Sequence, residues 1–141
     1  KLSDCLNVGE EVVSALEDFG YKTSKPTNRW YGEPSEAEKS IFFHFAKKNK
    51  IDDDLIKELW RRHGSRSFDV VQKIAEDKAM GQTFSEKINY CPAELSVMKD
   101  FEFIYYLDDF MRRRTILGQT VSQTELEKDS GFTRLIEYLK K

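Results

Sequence analysis

Cysteine, histidine and proline are all scarce in this chain, and each scarcity narrows what the protein can be. Cys5 and Cys91 are the only cysteines, and His44 and His63 the only histidines. No C-x-x-C spacing occurs, so no metal site is expected, and reduced thiols in a cytosolic protein are the expectation. An excess of charge is missing too. Twenty-three Lys and Arg against 25 Asp and Glu leave a net charge of −2, without the basic balance that draws a protein to nucleic acid. Any anion site has to be local. No apolar run approaches the roughly 18 residues of a membrane span, and no signal-peptide pattern opens the chain; a soluble, cytoplasmic protein is expected. Alternating, strand-like runs and internal repeats are absent as well. The chain opens on Lys1 with a helix-start pattern directly behind it, and we expect it to be cut from something larger.

What is present is helical periodicity. The stretch "SDCLNVGEEVVSALEDFG" carries apolar residues at Leu6, Val8, Val12, Val13 and Leu16, with Ser3 placed to cap the helix and Gly20 beyond its end. After it, "YKTSKPTNRWYGEP" holds two of the three prolines and no helical period, which predicts a linker. Trp30 and Tyr31 within it are expected to pack on a neighbouring surface. From Ser35 the pattern returns. Ser35 and Glu38 form a capping box ahead of Ile41, Phe42 and Phe45. Asp52 to Arg62 predicts a further helix, with acids in its first turn and arginines in its last as the helix dipole favours, and Gly64 as its stop. The next helix uses Phe68, Val70, Val71, Ile74 and Ala75 and is expected to run to Gly81, before a loop anchored by Phe84, Ile88 and Tyr90. Pro92 suits a first helical turn. The helix it opens runs toward Gly118, kinked or split near Asp100. A last helix starts at the capping box of Ser122 and Glu125 and is weakened near Gly131. The expectation is an all-α domain from about residue 35 onward.

One stretch needs more than periodicity. "FMRRRTILGQT" places three arginines at the end of an apolar helix. On a continuous wheel with Phe103 at zero, Leu107 falls at roughly 40°, Phe110 at 340° and Met111 at 80°. Arg114 then lands near 20°, in the centre of the apolar face, while Arg113 lies at about 280° on a stripe with Glu102, Tyr106 and Asp109. Asp109 is four residues before Arg113, the favourable direction for a pair. Arg114 is the residue short of a partner. It either snorkels or pairs with a core glutamate such as Glu94, which is the favoured reading, or clamps elements or domains together, or contacts a substrate directly.

Other candidates carry less. His44, between phenylalanines, is expected to be a partly buried structural histidine. Arg61, Arg62, His63 and Arg66 surround a helix junction compatible with phosphate binding by backbone N–H groups, although a solvated junction is the favoured reading. The acids at 52 to 54 lack an EF-hand continuation and complement a helix dipole instead.

Three stretches together carry a family resemblance. They are "LWRRHGSRSFDVVQKIAED", "YCPAEL" and "EFIYYLDDFMRRRT". In order and spacing, over about residues 52 to 118, the chain resembles the C-terminal part of FAD-dependent glycerol-3-phosphate dehydrogenases and the related glycerophosphate oxidases. The matching positions are Glu94, Glu102, Asp109, Arg113, Arg114 and Thr115. "KLSDCLNVGEEVV" is similar to the segment that closes the family's flavin domain, with Asp4, Cys5 and Leu6 where the family usually has Thr, Tyr and Arg.

The resemblance implies a parent that oxidises sn-glycerol 3-phosphate to dihydroxyacetone phosphate with FAD and passes electrons to quinone, or to oxygen in the oxidases. It implies that residues 1–20 are the last helix of a flavin-binding domain, 21–34 a linker, and 35–141 a C-terminal domain of about five to six helices. Lys1 would face the substrate phosphate or flavin edge, beside Leu2 and Ser3 near the cofactor. Glu94, Glu102, Asp109, Arg113 and Arg114 are the candidate structural or interdomain clamp. With no G-x-G-x-x-G in the chain, this piece is expected neither to hold FAD nor to turn over substrate alone. Its expected partners are the parent's own FAD and substrate domains, or a second copy in a homodimer. The parent would be cytoplasmic or peripheral on the inner face of the cell membrane. The competing reading is a free-standing helical interaction module.

Overall fold

The computed structural model describes residues 5–24 and 34–140. Lys1, Leu2, Ser3, Trp30 and Tyr31 lie outside the described residues. The chain divides into two compact units, Lys1–Glu33 and Pro34–Lys141. In the first, α1 (Cys5–Asp18) is amphipathic, with Val8, Val12, Val13 and Leu16 exposed. Among the described residues there is no strand and no helix long and apolar enough to cross a membrane.

The second unit is helical throughout: α2 (Glu36–Lys48), α3 (Asp53–His63), α4 (Ser67–Glu76), α5 (Pro92–Glu102), a π-helical turn (Asp109–Arg114), α6 (Leu117–Thr120), α7 (Gln123–Glu127) and α8 (Ser130–Lys140). The caps follow from local chemistry. Ser35 and Glu38 close a capping box at α2, Ser122 and Glu125 another at α7, and the Asp52 carboxylate accepts from Asp54 N and Leu55 N at α3. These bonds satisfy amides that a helix start leaves without partners. Pro92 occupies the first turn of α5.

Helix α5 is the spine. Ala93 and Val97 join one apolar cluster with Phe42, Ile56, Leu59 and Val71. Leu95 and Met98 join a second with Phe84, Phe110, Leu126 and Leu135. Buried on both flanks, α5 separates two half-cores, and each fully buried aliphatic or aromatic side chain contributes about 1.5–3 kcal/mol. In the first half-core Phe42 stacks on Trp60 at 5.2 Å and meets Phe68 edge-on at 5.3 Å. In the second, Gly131 lets α8 sit against the Phe84 carbonyl, where a Cβ would collide.

Boundaries differ from the sequence expectation in two places. Helix α4 stops at Glu76, and the Asp77 side chain caps a short 3-10 turn, Lys78–Gly81, through Ala79 N. The expected last helix is two, broken after Glu127, with Gly131 at the start of the second. The split expected near Asp100 in the helix from Pro92 falls after Glu102, where Phe103 adopts a left-handed conformation, φ 56° and ψ 43°.

Candidate functional site

One buried carboxylate, Glu94, joins two helices of the second unit. Its position in the first turn of α5, between Ala93 and Leu95, buries it completely. A carboxylate there needs donors on both oxygens. Oε2 accepts from Cys91 N at 2.9 Å, which caps α5. Oε1 accepts from His63 Nε2–H at 2.9 Å and from Arg62 Nη1 at 3.0 Å. His63 is 2% exposed and Arg62 10%. Burial alone raises the carboxyl's pKa, but the His63 hydrogen bond and the Arg62 charge outweigh it and hold Glu94 below the usual range. Next to it, burial first and the Glu94 charge second push the Cys91 thiol up to about 12.

Arg62 does more than neutralise Glu94. It also bonds Asn89 O at 2.6 Å, pairs with Glu58 at 3.1 Å and lies 4.1 Å over the Tyr90 ring. The junction after α3 is thus solvated only in part: Arg61, Ser65 and Arg66 are exposed as the favoured sequence reading has it, whereas Arg62 and His63 are withdrawn from solvent. The end of α3 is locked onto the start of α5. Arg66 points elsewhere, pairing with Asp69 and lying 3.8 Å over Phe101.

The three consecutive arginines each have their own acid. Arg112 faces Asp108 at 3.6 Å, Arg113 pairs with Asp109 at 3.0 Å, and Arg114 Nε lies 3.3 Å from Glu102. The pairing of Arg113 with Asp109 is the one expected from the four-residue spacing. The placement of Arg114 is corrected: it does not sit in the centre of an apolar face, and Glu94 is not its partner. The continuous wheel fails because residues 109–114 form a π-helical turn, whose wider winding changes the angle per residue, and because the left-handed Phe103 removes the residue that set the wheel's origin from the helix. Arg114, 45% exposed, instead reaches across the break to the Glu102 carboxylate and to its carbonyl oxygen, at 3.4 Å, at the end of α5. Asp109 has a second role, accepting from Tyr106 N at 3.1 Å. Thr115 Oγ1 is buried and donates to Phe110 O at 2.8 Å, closing the turn.

Between the end of α3 and this turn lies a cleft of about 420 Å³ lined by Arg61, Arg62, Arg112, Arg113, Arg114 and Glu102. Tyr90 and Met98 line it as well. The arginines expected at a helix junction thus meet those of the "RRR" run rather than the N-terminus of α4. His44 is exposed rather than partly buried, because the α2 face toward the core is held by Phe42 and Ala46. Among the described residues no group of three or more metal-ligating side chains exists.

Sequence reasoning missed the pairing of Arg62 and His63 with Glu94, which joins residues more than thirty apart. The available signal was an acid flanked by apolar residues in the turn opened by Pro92.

These features define an all-α domain in which one buried carboxylate takes up Arg62 and His63, beside a cleft lined by arginines. A family model, the C-terminal domain of alpha-glycerophosphate oxidase, matches residues 29–135, and the chain belongs to that family. The domain is therefore one found in an oxidoreductase family. The match spans Glu94, Glu102, Asp109, Arg113 and Arg114 and leaves Lys1, Leu2 and Ser3 outside it. No curated protein and no solved structure matches the chain.

Proposed function

We propose that this chain works as the helical C-terminal domain of an FAD-dependent glycerol-3-phosphate dehydrogenase, packed on the parent's flavin and substrate domains. The parent oxidises sn-glycerol 3-phosphate to dihydroxyacetone phosphate and delivers the electrons to quinone, from the cytoplasm or the inner face of the membrane. The flavin supplies that chemistry. The chain has no dinucleotide fingerprint, so FAD belongs to the parent's other domain and this piece is inactive alone. Residues 1–20 finish the flavin domain, 21–34 connect, and 35–141 form the helical domain.

The observation that carries the packing role is Phe103. A bulky residue in the left-handed region costs roughly 1–2 kcal/mol, and this one is 70% exposed, so the strain returns no burial within the chain. Phe101, Tyr105 and Tyr106 are exposed on the same segment. A run of exposed aromatic residues suits a protein contact.

The test is a pair of substitutions in the full-length parent. Phe103→Gly relieves the backbone and stabilises the 141-residue chain, yet weakens domain packing and activity in the parent. Arg114→Met, which frees the end of α5 that carries Phe103, lowers parent stability and activity together. Unchanged parent activity and stability in both variants defeats the packing role, and a chain that dimerises through this face moves the contact to a second copy.

A further inference from the structure

The cleft over Glu94 has a charge pattern that packing alone does not require. Five guanidinium groups line it, from Arg61, Arg62, Arg112, Arg113 and Arg114, and one carboxylate, Glu102. The other acids that pair with these arginines, Glu58, Glu94, Asp108 and Asp109, do not line it. Each guanidinium carries five N–H donors in a planar fork, and one acid partner engages only one or two. Arg112 and Arg113 are both 77% exposed, and the 3.6 Å contact from Arg112 to Asp108 is too long for a hydrogen bond. Donors are therefore in surplus on the cleft side.

The two walls are fixed independently. Glu94 holds the end of α3 through Arg62 and His63, and the Arg114–Glu102 pair holds the π-helical turn to the end of α5. The backbone that carries these arginines is thus held in place by structure rather than drawn together by a ligand, which sets the exposed Arg61, Arg112 and Arg113 side chains around one cleft. The geometry points to an anion-binding cleft that takes a phosphomonoester, with Arg61, Arg112 and Arg113 as the contacting groups and Arg62 and Arg114 as fixed positive background. A planar carboxylate is satisfied by one arginine fork, whereas a tetrahedral phosphate presents oxygens toward both walls at once and carries nearly two charges. The volume, about 420 Å³, falls in the lower range of small-molecule sites. Neither the family membership nor the packing role enters this reasoning, so the cleft is tested without the parent enzyme.

The experiment titrates inorganic phosphate into the 141-residue chain at low ionic strength, with chloride as control, and follows backbone amide shifts. Saturable binding localised to residues 61–63 and 112–119 is expected, weakened about tenfold or more in Arg112→Gln/Arg113→Gln and unchanged in Arg66→Gln, whose side chain does not line the cleft. The thermal midpoint of the double variant, whose side chains are exposed, reports that it folds. A second arm sediments the chain with phosphatidylcholine vesicles with and without phosphatidic acid. Phosphate binding alone assigns a soluble phosphomonoester, and sedimentation that needs phosphatidic acid and is lost in the double variant assigns a lipid headgroup. No saturable shift with phosphate and no such sedimentation, or binding equally strong in the double variant, overturns the proposal.

Discussion

Replacing Glu94 by Gln keeps the side chain's shape and removes its charge. One of the two buried oxygens becomes an amide nitrogen, which can only donate, so either Cys91 N–H or the Arg62 and His63 donors lose their acceptor. Removing one partner of a buried ion pair costs about 3–5 kcal/mol. Glu58 remains beside Arg62 at 3.1 Å and offsets part of the charge left uncompensated, so the lower end applies, about 3 kcal/mol. Against a total stability of about 5–15 kcal/mol that is a large fraction. At roughly 4 °C per kcal/mol for a domain near 100 residues, it lowers the thermal midpoint by about 12 °C. Urea unfolding followed by far-UV circular dichroism measures it, and a double-mutant cycle with Arg62→Met isolates the pair, with an expected coupling above about 1 kcal/mol. A loss below about 1 kcal/mol with no coupling refutes the reasoning, because the ion pair would then be dispensable.

The same carboxylate sets an acid limit. Its folded pKa lies below the ordinary 4.5, so its stabilisation is complete above that value and lost as pH falls through the folded value; acid titration of Glu94→Gln should show a shallower loss. Cys91, raised to about 12 from 9.0, is protected by burial, so in a Cys5→Ser chain a thiol reagent at pH 8 should react at the rate of unfolding, and rapid reaction in the folded state would contradict the burial. Gly131→Ala forces a methyl into the Phe84 carbonyl and should destabilise by about 1–3 kcal/mol in urea; a neutral result would mean that α8 shifts freely.

Helix starts were legible in the sequence because a cap is local chemistry. Ser35 with Glu38, Pro92, and Ser122 with Glu125 each state their role within four residues, and the structure uses them so; Asp52, read as a complement to the helix dipole, also caps α3 with its side chain. The loop anchors Phe84 and Ile88 were legible for a related reason: apolar side chains in an otherwise polar loop have to be buried somewhere. The ionic site was legible only in part. The Asp109–Arg113 spacing gave one pair, whereas Glu94 finds Arg62 and His63 through tertiary packing that no local spacing encodes. Arg114 was misplaced because nothing in "KDFEFIYY" marks Phe103 as a left-handed residue, a conformation in which glycine is the ordinary choice. Nor does anything in "DFMRRR" mark the π-helical winding that turns Arg114 relative to Leu107.

Glu94 spends one oxygen on the start of its own helix and the other on the end of α3. Local helix formation and long-range docking are thus wired through a single side chain. When the end of α3 lifts away, α5 keeps its cap only by holding an unneutralised carboxylate inside the protein; when the cap frays, α3 loses its anchor. The two helices are expected to open as one cooperative unit rather than separately. Because α5 divides the two half-cores, neither half has an independent route to unfolding that leaves the other's spine in place.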